Sequence, residues 1–270
     1  MNLPYAEVIG DPIAHSKSPL IHKYWLEKLG IEGDYRKAHV LAEGLADYFT
    51  ARREDPDWRG CNVTIPHKVA VLDLVEDRGG LRDSIGAMNT VIRAEDGTLV
   101  GTNTDAAGFY APISAYDLAG RDVILIGAGG AARAILFALG RCEVGQVTIL
   151  NRNVLKASAL LARSGLRGAA LPLGAPLPPA ALVVNSSALG MTGSPPLEID
   201  LSAMPEDCLV YDVVYAPLRT ELLKQAEGLG LETIDGLEML IGQAAVAFEL
   251  FFDAAPPREH DAELRALMTA

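Results

Sequence analysis

The chain is poor in cysteine and in basic residues, and it lacks any long uninterrupted apolar run. Its three cysteines, Cys61, Cys142 and Cys208, are odd in number and far apart. That pattern offers neither a metal-binding cluster nor a disulfide framework and fits small core residues in a reducing compartment. Lysine and arginine total 23 against 35 aspartates and glutamates, a formal net charge of −12, with no basic run. Such a balance excludes a nucleic-acid-binding face, so any anion site must be built locally. The first residues, Met-Asn-Leu-Pro-Tyr-Ala-Glu, show neither the basic segment nor the apolar core of a secretory leader. The most apolar stretch, 123–140, is broken by glycines and by Arg133, and reads as strand, turn and helix rather than as a membrane span. The expectation is a cytoplasmic protein with no membrane and no nucleic-acid partner.

What is present is ordinary for a globular protein: 50% hydrophobic and 21% charged residues in 270, enough for one large or two smaller α/β domains. Strand signals at 6–9, 35–40 and 60–63 alternate with helix signals at 18–30, 41–53 and 67–75. Ser18-Pro19 reads as an N-cap with proline in the first turn, and Gly30 as a stop. Residues 89–93 and 99–101 pair as a hairpin around Glu95-Asp-Gly97. A second α/β pattern follows: strand 123–126, helix 131–139, strand 146–150, helix 154–163, a loose stretch at 168–179, strands 181–185 and 208–213, and helices 220–229 and 237–252. The expected fold is α/β, with an N-terminal substrate domain over 1–104 and a Rossmann-like doubly wound domain over 105–239. Helices in 240–270 are expected to pack back on the first domain.

Chemistry concentrates at a few points. Gly127, Gly129 and Ala132 match the G-x-G-x-x-G/A spacing between a strand and a helix. That spacing lets the backbone turn tightly and aim a helix N-terminus at a pyrophosphate. The next strand ends in Asn151-Arg152 rather than in the acid that grips an NAD ribose, and an arginine there suits the 2′-phosphate of NADP. In the first half, His15-Ser-Lys-Ser-Pro19 offers two hydroxyls and helix-start amides for a small carboxylate, although Ser18 alone reads first as a cap. Asn62-Val-Thr-Ile-Pro-His-Lys68 places polar groups at a strand exit, with Lys68 one turn into a helix. Asp105 opens another helix, where a carboxylate also has a purely electrostatic use. Opposed to each other, Lys68 and Asp105 are acid–base equipment for a nicotinamide hydride transfer. The five histidines are scattered and read as surface or structural, His67 least securely.

These motifs together resemble those of the shikimate dehydrogenase family. Ser16-Lys-Ser18, Asn62–Lys68, Gly86-Ala-Met-Asn-Thr90 and Asn103-Thr-Asp105 are similar to its substrate-domain motifs. Gly127–Ala131, Asn151-Arg152, Asn185 with Leu189-Gly-Met191, Tyr211–Tyr215 and Gln243-Ala-Ala are similar to its later motifs, in the same order. The resemblance implies two domains with the active site in the cleft between them, NADP as cofactor and no metal. It also implies reversible reduction of 3-dehydroshikimate to shikimate on the route to chorismate and the aromatic amino acids. Lys68 and Asp105 would be the catalytic pair and Ser16 and Ser18 the carboxylate anchors. Asn62, Thr64, Asn89, Asp105, Tyr215 and Gln243 would line the ring. Gly127, Ala128, Gly129, Gly130 and Ala131 would cradle the pyrophosphate. Asn151, Arg152, Asn153 and Lys156 would surround the 2′-phosphate, with Val213 and Gly236 near the nicotinamide. A homodimer is a further expectation.

Three departures stand out. Asn153 replaces the family's usual threonine. Asn185-Ser-Ser-Ala-Leu-Gly-Met191 lacks a proline, which is expected to loosen that loop. Gly79-Gly80 interrupts a region that is usually helical. None touches the proposed substrate residues, and together they keep open a quinate- or aminoshikimate-preferring paralogue, beside a non-catalytic metabolite-sensing domain.

Overall fold

A computed structural model describes residues 3–269. The chain divides into two compact units, Met1–Asp105 with Ile241–Ala270, and Ala106–Leu240. The first runs β1 (Tyr5–Gly10), α1 (Ser18–Leu29), β2 (Asp34–His39), α2 (Leu45–Glu54), β3 (Trp58–Val63), α3 (Leu81–Ser84), β4 (Thr90–Arg93) and β5 (Leu99–Thr102). Its sheet has the order β2-β1-β3-β4-β5, parallel across β2, β1 and β3 and antiparallel across the β4–β5 hairpin. β1 is buried along its whole length, as a central parallel strand covered on both faces must be. The core on one face gathers Phe49, Trp58, Val71, Met88 and Leu99.

The chain enters the second unit at the start of α4 (Asp105–Ile113). It continues through β6 (Val123–Ile126), α5 (Gly130–Arg141), β7 (Val147–Leu150), α6 (Val154–Ser164), β8 (Gly168–Leu171), β9 (Leu182–Asn185), β10 (Leu209–Asp212), α7 (Glu221–Gly228) and β11 (Glu232–Ile234). All six strands are parallel in the order β11-β10-β9-β6-β7-β8. Counted from β6 this is the 3-2-1-4-5-6 order of the dinucleotide-binding fold, read from the β8 edge. α8 (Gly236–Phe252) carries the chain back into the first unit, where α9 (Asp261–Thr269) ends it.

Three local expectations are corrected. Residues 67–75 form turns and a short 3₁₀ segment, Ala70–Asp73, instead of an α-helix. The Lys68 carbonyl there accepts the Met88 amide at 2.8 Å, so it is withdrawn from helical bonding and tied to the segment leading into β4. Ser18 is the first residue of α1 and not its cap; Lys17 holds the cap position without a side-chain bond. Within the loose stretch at 168–179, residues 168–171 form edge strand β8, paired with β7; Gly168-Ala-Ala carries too little apolar bulk to announce a strand. Arg78 and Gly79 lie in a turn, and Gly80, at φ 64°, precedes the four-residue α3. Among the described residues, no helix is long and apolar enough to cross a membrane.

Candidate active site

In the first unit the sheet order makes the chemistry local. β1 connects to β2 on one side and β3 lies on the other, so the strand order reverses between β1 and β3, and ligands of open α/β sheets bind beyond the C-terminal ends of strands at such a point. Ser16 and Ser18 follow β1, while Asn62, Thr64 and Lys68 lie at the end of β3 and just after it.

The antiparallel hairpin adds its own polar residues beside β3. Asn62 is paired across the ladder with Thr90. Asn89, before β4, is 2% exposed, and its Nδ2 donates to Asp105 Oδ1 and to Thr104 Oγ1, each at 2.9 Å. Its Oδ1 accepts the Thr104 amide at 2.7 Å. Gln243, on α8, accepts from Asn89 and Thr104 at 3.4 Å. Asp105 sits at the first position of α4, and its remaining oxygen, Oδ2, accepts from Lys68 Nζ at 2.5 Å. The side chains of the pair are 15% and 6% exposed. At this burial an ion pair is held tightly, and loss of either partner is costly. Thus Lys68, Asp105, Asn89, Gln243 and Asn62 form one continuous cluster. Thr64 follows β3 with its amide on the Ile9 carbonyl at 2.9 Å. Ser16 donates to Ser18 Oγ at 3.3 Å and accepts the Ser18 amide at 3.3 Å. Among the described residues, no group of three or more His, Cys, Asp or Glu side chains is placed to hold a metal.

His67, the ambiguous histidine, is buried with Nε2 on the Val40 carbonyl at 2.7 Å; its role is structural. His22 is fully buried among Trp25, Tyr35, Phe248 and Phe251.

In the second unit the turn after β6 lies where the strand order reverses between β6 and β9. Gly127 has φ 105°, and a Cβ there would lie 2.9 Å from Ser186 Oγ, so glycine is required twice over. Gly129, the N-cap of α5, is different: a Cβ there would meet nothing within 4 Å. Protein packing does not explain a glycine at that point. Open space at the start of a twelve-residue helix, beside Ala128, Gly130 and Ala131, fits a pyrophosphate approaching the backbone. After β7, Asn151 Nδ2 donates to the Asn153 carbonyl at 2.8 Å, and Asn153 Oδ1 caps α6 by accepting the Lys156 amide at 3.0 Å. Asn153 therefore spends its oxygen on the helix. The Arg152 and Lys156 side chains make no hydrogen bond or ion pair among the described residues, and both are exposed, as a 2′-phosphate site demands.

The loop expected to be loosened by its missing proline is instead cross-tied. Ser187 donates to Asn185 Oδ1 at 2.7 Å and accepts the Leu189 amide at 3.2 Å, while Asn185 Nδ2 reaches the Leu189 carbonyl at 3.0 Å. Asn185 also donates to Asp212 Oδ1 at 2.9 Å, and Thr220 donates to Asp212 Oδ2 at 2.7 Å. Burial raises the Asp212 carboxyl above its ordinary range against these bonds. Asp212 thereby ties the loops after β9 and β10, a role its place inside an apolar strand did not reveal. Val213 and Gly236 meet closely: a Cβ on Gly236 would lie 2.5 Å from the Val213 carbonyl. Tyr215 follows β10 in this second unit.

Comparison with known proteins agrees with the motifs. Residues 8–91 match the family described as shikimate dehydrogenase substrate binding domain, and residues 236–263 match the shikimate 5′-dehydrogenase C-terminal domain. A shikimate dehydrogenase (NADP⁺) of Sphingopyxis alaskensis is 64% identical over 267 residues, covering 99% of this chain and 97% of the relative. The crystal structure of Thermus thermophilus shikimate 5-dehydrogenase in complex with NADP(H) and shikimate superposes with a TM-score of 0.86 at 36% identity, covering 98% and 99% of the two chains. A 5-ketofructose reductase of Gluconobacter shares the fold as well, with a TM-score of 0.88 at 30% identity over 99% of both chains. Near-complete coverage at 64% identity decides among these relatives: the chain belongs to the shikimate dehydrogenase family.

Proposed function

We propose that the protein is an NADP-dependent shikimate dehydrogenase that reduces the ring ketone of 3-dehydroshikimate and runs in reverse on shikimate. The observation that carries this reading is the Lys68–Asp105 pair, with one carboxylate oxygen on Lys68 Nζ and the other on Asn89. NADPH, when bound, supplies the hydride that reaches the carbonyl carbon. Lys68 Nζ delivers the proton that the developing alkoxide takes up, or takes the alcohol proton in the opposite direction. Asp105 orients Nζ and balances its charge, and Asn89 with Gln243 orients Asp105. Ser16 and Ser18 hold the substrate carboxylate, and Asn62 and Thr64 complete the ring contacts. On this reading the first unit binds substrate and the second binds cofactor. Gly127–Ala131 take the pyrophosphate, Asn151, Arg152, Asn153 and Lys156 the 2′-phosphate, and Val213 and Gly236 adjoin the nicotinamide. A reducing, cytoplasmic setting belongs to the same proposal, supported by three free cysteines.

The test is an absorbance assay of nicotinamide reduction with shikimate and quinate, and of nicotinamide oxidation with 5-ketofructose, each with both cofactors. Shikimate with NADP is expected to give kcat/KM at least tenfold above every other combination. A preference for quinate would transfer the assignment to a paralogue. Absence of turnover, with shikimate still bound, would mark a metabolite sensor.

A further inference from the structure

We propose that the buried hydroxyls of Tyr35 and Thr90 are positioning residues, links of one directed hydrogen-bond relay that aligns the acid–base pair with Asn62. This rests on the roles just given to Lys68, Asp105 and Asn62.

The relay can be followed atom by atom. Tyr35, on β2, is fully buried, and its phenol donates to Asn62 Oδ1 at 2.6 Å. Asn62 Nδ2 donates to Thr90 Oγ1 at 3.1 Å, and Thr90, also fully buried, donates to Asn89 Oδ1 at 3.1 Å. Asn89 Nδ2 then donates to Asp105 Oδ1 at 2.9 Å, which leaves Oδ2 for Lys68.

The orientation of Asn89 is imposed. The Thr104 amide can only donate, and it points at one end of the Asn89 amide at 2.7 Å. That end must be Oδ1, so Nδ2 must face the carboxylate. Thr90 has a single proton, and with that proton on Asn89 Oδ1 it accepts from Asn62. Asn62 thereby presents Nδ2 inward and Oδ1 to Tyr35, whose one proton is committed to it. Flipping Asn89 would turn its Nδ2 onto the Thr104 amide, donor against donor in a buried network. The Tyr35 ring cannot swing away, because His22 stacks on it at 4.0 Å with the planes 4° apart. With no exposed surface, neither Tyr35 nor Thr90 can touch a ligand directly; each acts through the asparagine beside it.

The experiment compares Tyr35→Phe, Thr90→Val, Thr90→Ser and the double variant Tyr35→Phe/Thr90→Val with the wild-type enzyme. Wild-type turnover of shikimate with NADP is measured first; its absence refutes the assigned function, independently of the relay. Tyr35→Phe keeps the ring stacked and is expected to lower kcat/KM for shikimate about threefold to tenfold, the value of one neutral hydrogen bond. Thr90→Val, one link from Asn89, is expected to lose at least as much, mainly in kcat, and Thr90→Ser to recover most of it. KM for NADP stays unchanged throughout. The double variant is expected to be no worse than the poorer single one, because a chain broken once is broken. Losses that multiply, or a Thr90→Ser no better than Thr90→Val, would assign the two hydroxyls separate packing roles. Should Thr90→Val fail to fold, Tyr35→Phe decides alone: a kcat/KM within twofold of wild type, whatever the melting temperature, overturns the proposal.

Discussion

Replacing His22 tests how the core behind the relay is built. Its ring is fully buried on α1, and neither nitrogen has a hydrogen-bond partner among the described residues. Its ring neighbours are Trp25, Tyr35, Phe248 and Phe251, none of them charged near neutrality. Burial alone lowers the imidazole from its ordinary 6.5 to about 3. The folded protein therefore keeps His22 neutral, while the unfolded chain takes up a proton as pH falls through 6.5. The unfolded state binds more protons in that window, so stability falls with falling pH from 6.5 toward 3, at up to about 1.4 kcal/mol per pH unit. Going from about pH 7.5 to about pH 5 the loss from this one group is about 2 kcal/mol. His22→Phe removes the titration. Its overpacking cost of about 1–3 kcal/mol does not depend on pH, so the difference between pH values isolates the histidine. The assay is urea unfolding followed by tryptophan fluorescence, since both tryptophans, Trp25 and Trp58, are buried in the first unit. With a slope of about 2 kcal/mol per molar urea, the wild-type midpoint is expected to drop by about 1 M more than that of His22→Phe between the two pH values. Parallel pH dependences in the two proteins would show that the imidazole is hydrated or hydrogen-bonded, and would refute the reasoning.

Three further outcomes are expected. Lys68→Ala lowers kcat by about 10² or more with little change in shikimate affinity; near-normal kcat would remove Lys68 from the acid–base role. Arg152→Ala loses about ten- to a hundredfold in kcat/KM with NADP, from the roughly 1.5–3 kcal/mol of a charge-assisted bond to phosphate, and changes little with NAD. Equal losses with both cofactors would show that Arg152 does not read the 2′-phosphate. Ser16→Ala raises KM for shikimate several-fold. Because the Ser16 hydroxyl accepts the amide that opens α1, it also lowers the melting temperature by a few degrees, for about 1 kcal/mol of lost capping; an unchanged KM would leave capping as its sole role.

Much of this protein was legible in residue order, because the signals are local. An apolar strand, a glycine turn and a helix face stand within 123–140, and Asn151-Arg152 follows at the next strand end. Polar residues clustered at strand exits marked Lys68, Asn89 and Asp105, and hairpin chemistry placed β4 against β5. Tertiary structure decided what depends on distant partners. Lys68 leaves the helical path because its carbonyl is claimed by Met88, twenty residues on. β8 is a strand only because β7 offers it an edge. Tyr35, a β-strand aromatic with nothing unusual around it in sequence, became part of the site through one bond to Asn62, 27 residues away. Periodicity and glycine turns are set by neighbours within a few residues, so the sequence alone determines them. Which buried donor meets which buried acceptor is settled only when the sheet order brings β2, β3 and β4 together.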